Sequence, residues 1–81
     1  MSLTYYVALP FILSEEGPAP GQAMECPSES QALIQASAMS RNSANTGAIA
    51  FKRSGDPMLG HFSDAVVIKT FGEVPDRLDE L

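Results

Sequence analysis

The chain is poor in the residues that usually carry chemistry. Its 81 residues include one cysteine, Cys26, and one histidine, His61. A single cysteine cannot staple a chain internally, so an oxidising compartment is not implied and the cytoplasm is the expectation. Bases are scarce as well: five against ten acids, for a net charge of −5. Phosphate backbones repel such a surface, which argues against nucleic-acid binding, and anionic membranes are disfavoured for the same reason. Long apolar runs are missing. The longest, Tyr5 to Leu13, contains Pro10 and is too short to span a bilayer. It also lacks the basic start and small-residue cleavage site of a signal peptide. The glycines at 17, 21, 55 and 60 read as turn residues, and no phosphate-cradling or dinucleotide fingerprint is present. No cofactor is expected.

What the chain does have is the make-up of a globular domain. Apolar residues are 44% of it and charged residues 19%, outside the disordered range. One domain over residues 1–81 is expected, and at this size it buries only about 60–65% of the surface its unfolded chain exposes. One modest core is possible.

The most continuous β-branched run is Ala65-Val66-Val67-Ile68-Lys69-Thr70-Phe71. It reads as a strand buried on both faces, and therefore as the centre of a sheet. Leu3 to Leu13 reads as a first strand, with pairing stopped near Pro10 or the strand at an edge, since proline cannot donate to a ladder. Residues 14–27 hold two glycines and three prolines and read as a loop, either mobile or functional. A helix is expected next. Ser28 and Gln31 have capping-box spacing, the helix is expected to run to about Ser43, and Gly47 is expected to stop it. Ala32, Leu33, Ala36 and Met39 fall on one stripe, small enough to sit close to a sheet. Gly47 to Arg53 reads as another strand. The link from Ser54 to Ser63 carries Met58, Leu59 and Phe62, which cost roughly 1–3 kcal/mol each if left in water. The acidic end, residues 76–81, is expected to fray.

These elements predict an α+β fold, β-α-β-β, with a small three-stranded antiparallel sheet of preferred order 1-3-2. The crossover from the first to the second strand is expected to be right-handed, with one helix on one face. That leaves a second apolar face, assigned to Tyr6, Ala8, Ile12, Ala48, Ala50 and one of the pairs Val66/Ile68 and Val67/Phe71, in need of a lid. A second copy is the simplest lid, so a homodimer is expected; long loops from the same chain are the alternative. The candidate interface is Tyr6, Ala8, Met58, Leu59, Phe62, Val67 and Phe71.

Three stretches, Tyr5-Tyr6-Val7-Ala8-Leu9-Pro10-Phe11, Gly47-Ala48-Ile49-Ala50-Phe51 and Phe71-Gly72-Glu73-Val74-Pro75, resemble a class of short uncharacterised bacterial proteins of β-α-β-β pattern. They cover under a third of the chain and none carries chemistry, so the resemblance implies no activity.

Few residues are candidates for a site. His61 with Asp56 and Asp64 makes a sparse His/Asp group in one loop, short of the three or four ligands a zinc site brings. A solvated histidine beside a strand-capping aspartate is the plainer reading, and no metal is expected. Cys26 precedes a helix start, where a thiol is activated, but only His61 could serve as its base and it lies far along the chain. Lys52, Arg53 and Lys69 would cluster if their strands pair. With His61 and Asp64 they form the candidate ligand or anion set.

Two functions follow. The first is a non-enzymatic, homo-oligomeric protein-interaction module, docking on itself or on another protein. The second is small-molecule or anion binding, or a minor enzymatic role, in a pocket between protomers that uses Tyr5 or Tyr6, Arg53, His61 and Asp64.

Overall fold

The computed structural model describes residues 3–75. The expected tail at 76–81 lies outside the described residues. The elements are β1 (Leu3–Ser14), β2 (Gly17–Pro20), β3 (Met24–Cys26), α1 (Glu29–Ser40), β4 (Asn45–Asp56), β5 (His61–Phe62) and β6 (Val66–Gly72). Strand makes up 55% of the structure and helix 16%, so the fold is a curled six-stranded antiparallel sheet with one helix. The expectation of three strands is overturned.

The six strands form four columns. β4 pairs with β1 on one side and with β5 and β6 on the other; β1 pairs in turn with β2 and β3. The centre is therefore β1 and β4, paired over most of their length, from Leu3↔Gly55 to Ile12↔Asn45. The run at 66–72, expected in the middle, is a border strand. Its β-branched residues fit a pleated surface equally well there. The order 1-3-2 and the parallel crossover fail together, because β1 and β4 are antiparallel neighbours and α1 merely bridges them.

Residues 14–27 are not a free loop. Ser14 and Gly17 close a hairpin in which Gly17 takes φ +103°, a conformation open to glycine. Pro18 and Pro20 then sit in β2, opposite Leu13 and Phe11. Prolines are tolerated because β2 is a border strand. Pro10 is accommodated in a similar way. Its carbonyl accepts from the Gly21 amide at 2.8 Å, so its nitrogen also faces the β2/β3 side. There the outer column is interrupted between Pro20 and Met24, and the β1–β4 ladder needs no donor from Pro10.

α1 begins as expected: the Gln31 amide donates to Ser28 Oγ at 3.2 Å. It stops at Ser40, earlier than expected, and Gly47 is not the stop. Asn45 Nδ2 donates to the Met39 carbonyl at 2.9 Å and the Asn45 amide to the Asn42 carbonyl, which turns the chain into β4. Gly47 instead lets β6 approach; a β-carbon there would run into the Phe71 carbonyl.

α1 lies across β1, β3, β4 and β6. Ala32 and Ala36 press onto Ala8, Cys26, Ala48 and Ala50, with Tyr6, Leu33, Met39, Ile68 and Phe71 around them. This is the face that was expected to be bare. Alternation puts the larger residues on the far face. Leu9, Phe11, Ile49 and Phe51 are buried there, against Val7, Ala65, Val67 and Val74. Among the described residues, no helix is long and apolar enough to cross a membrane.

Candidate functional site

The far face carries a depression at the end where β1 begins and β4 finishes. Tyr5 is opposite Arg53 and Val7 is opposite Phe51. These four, with Ala23 and Phe62, line a depression of about 450 Å³. Five of the six are carbon-rich; Arg53 supplies the one formal charge in the wall.

Phe62 is held in place by the strands beneath it. It pairs with Gly55, whose missing β-carbon makes room for the ring. The Ser63 amide and hydroxyl both donate to the Ser54 carbonyl, at 2.8 and 2.9 Å, and tie the short β5 to β4. The Phe62 ring lies 6.1 Å from that of Tyr5, tilted at 47°. This is within the range of a favourable aromatic pair.

Beside the depression, β4 turns into β5 through Pro57-Met58-Leu59-Gly60. The turn is well bonded. Asp56 Oδ1 accepts from the Met58 amide at 2.9 Å, and the Asp56 carbonyl accepts from the Gly60 amide at 2.9 Å and the Leu59 amide at 3.2 Å. Gly60 has φ +70°. This hydrogen-bonded turn presents Met58 at 92% exposure and Leu59 at 68%, with Phe62 at 50%.

The residues singled out from sequence are dispersed. Lys52 and Arg53 are consecutive in β4 and so project from opposite faces; Arg53 enters the depression and Lys52 does not. Lys69 is opposite Ala50, on the helix side, with Nζ 5.2 Å from the Phe71 ring centroid. His61 is exposed in β5, opposite Asp56, and Asp64 is exposed in the link to β6. Lys52 and Lys69 share the helix side and Arg53 is on the far face, so the five do not gather on one face. Among the described residues, no three His, Cys, Asp or Glu side chains stand close enough to hold a metal. Cys26 is buried beneath α1 in β3, while β5 with His61 lies in the opposite outer column, so they form no nucleophile–base pair.

Of the candidate interface residues, Tyr6, Ala8 and Phe71 pack under α1, and Ala8 has no exposed surface. Val67 joins the far-face cluster. Met58 and Leu59 in the β4–β5 turn and Phe62 in β5 are all exposed. Val7, Ala23 and Phe51 were not singled out. The signal for Val7 and Phe51 was the alternation of large residues Tyr5-Val7-Leu9-Phe11 against Ile49-Phe51, which becomes a surface only once the register of β1 on β4 is known; Ala23 carried none.

Comparison of the chain with models of protein families, with curated proteins and with solved structures finds no match. The arrangement itself therefore carries the functional reading. It can seat an apolar side chain or ring.

Proposed function

We propose that the chain is a non-enzymatic protein-interaction module, set in the cytoplasm, that docks through this end of the far face. The observation that carries the reading is the exposed apolar turn. Met58 is almost fully exposed and Leu59 about two-thirds exposed, beside a depression lined by Tyr5, Val7, Phe51 and Phe62. Scattered exposed apolar residues are ordinary, but a contiguous group next to a hollow marks a contact surface. Burying the two tip residues would recover roughly 1.5–3 kcal/mol for each. Arg53 projects from the face opposite to Lys52 and Lys69, so one anion site shared by all three is not part of this reading.

Hydroxyl-radical footprinting tests the reading. The purified chain, diluted, is compared with the same chain in an extract of the cells that produce it. Met58 and Leu59 should be oxidised readily when dilute and several-fold less in the extract. Leu13, 73% exposed at the far end of β1, should be unchanged. Equal oxidation of Met58 and Leu59 in both samples would overturn the reading.

A further inference from the structure

We infer that Met58 is a modification site: a hydroperoxide converts its thioether to the sulfoxide, and this reversible change releases the docking contact proposed above. The inference rests on the docking reading and supplies its regulation. It follows from where the fold keeps its sulfur atoms.

Among the described residues, sulfur is carried by Met24, Cys26, Met39 and Met58. Cys26 is buried beneath α1, and Met39 packs against the same alanine cluster. Met24 is 44% exposed in β3, whereas Met58 is 92% exposed. An oxidant arriving from water therefore meets the Met58 sulfur first, because susceptibility follows access. Modification there leaves the fold intact. The bonds of the turn are made by backbone amides on Asp56, so a change in the Met58 side chain breaks none of them. Met58 also belongs to neither buried cluster, while an oxygen added to Met39 would intrude on the packing under α1. The first oxidation is thus a change of surface chemistry, and later ones are damage. In that first step the sulfur lone pair attacks the outer oxygen of the hydroperoxide, and the O–O bond breaks. Sulfur is oxidised by two electrons. The peroxide is reduced to an alcohol, or to water, its remaining oxygen taking up the proton. Against an apolar partner the new S–O group loses its water without gaining a donor, which should weaken docking on the order of tenfold to a hundredfold. A thiol-dependent sulfoxide reductase reverses the step, releasing the oxygen as water and oxidising two thiols to a disulfide.

The test starts with short pulses of hydrogen peroxide on the purified chain, stopped with catalase and read by peptide mass spectrometry. Met58 should gain oxygen several-fold faster than Met24, and Met39 only after both, with far-UV circular dichroism unchanged at the first oxidation. Met24 or Met39 keeping pace with Met58 overturns the inference. The singly oxidised chain is then placed in the extract, and hydroxyl-radical footprinting reads Leu59. Its protection should fall to the level of the dilute chain, and should return after treatment with methionine sulfoxide reductases and a dithiol. Protection should persist in Met58→Leu given the same peroxide, since leucine keeps the tip apolar and takes up no oxygen; the fold of this variant is checked by the same dichroism. If Leu59 stays protected in the oxidised wild type, the inference falls and the docking reading stands. Loss of protection in peroxide-treated Met58→Leu also overturns it, as does a loss that reduction does not restore. If Leu59 of the untreated wild type shows no protection, the docking reading fails and the switch fails with it.

Discussion

The two faces of the sheet are built from different side chains. Toward α1, the strands offer Ala8, Ala48 and Ala50, all without exposed surface. On the far face the same strands offer Leu9, Phe11, Ile49 and Phe51. Alternation along β1 and β4 sorts the two sets. The alanines let a helix whose own contact residues are alanines lie close to the sheet. The large residues fill their layer with help only from Val7, Ala65, Val67 and Val74. One face is limited by the space available and the other by the volume that fills it.

Single substitutions can break that comparison. The largest effect is expected for Ile49→Ala. It removes the largest fully buried side chain among the described residues, and the loss should be about 2–5 kcal/mol, read from the midpoint of a denaturant titration with an unchanged slope. Ala48→Leu, one residue earlier, adds volume instead. It should cost about 1–3 kcal/mol by forcing α1 outward, with faster amide exchange in α1 than in the β1–β4 ladder. A neutral Ala48→Leu would show that the helix has slack and that the faces do not differ as described. Ser28→Ala sharpens the picture at the low end. It leaves the Gln31 amide without its cap, and should cost about 1 kcal/mol, with the first turn of α1 exchanging faster.

How much of this was written in the chain varies by element. The helix start was, because a cap and a stripe are local patterns. The far-face tip was partly so: Met58, Leu59 and Phe62 stand out as bulky residues in a link. The sheet was misread for two physical reasons. Prolines and glycines at 17–21 signal a break, yet at a border they are compatible with a strand. Hydropathy also underrates Gly47-Ala48-Ile49-Ala50, whose small residues are there because a helix and β6 come close. The most β-branched run thus looked central while the true centre looked weak. The depression could not be read from either strand alone, since Tyr5 meets Arg53, and Val7 meets Phe51, only through their pairing register.

The two prolines of β2 have a consequence for how the sheet can grow. The Thr46 hydroxyl donates to the Phe11 carbonyl at 3.2 Å, so Phe11 turns its backbone groups toward β4 and away from its partner Pro20. By alternation Leu13 does the same opposite Pro18. The outward positions of β2 are therefore the two prolines, with carbonyls and no N–H between them. An incoming strand would find acceptors there and nothing to accept from. The sheet has a terminated rim along β2, so lengthening by a foreign strand, and any fibril seeded from it, has to start from the three residues of β3 or from the rim formed by β5 and β6.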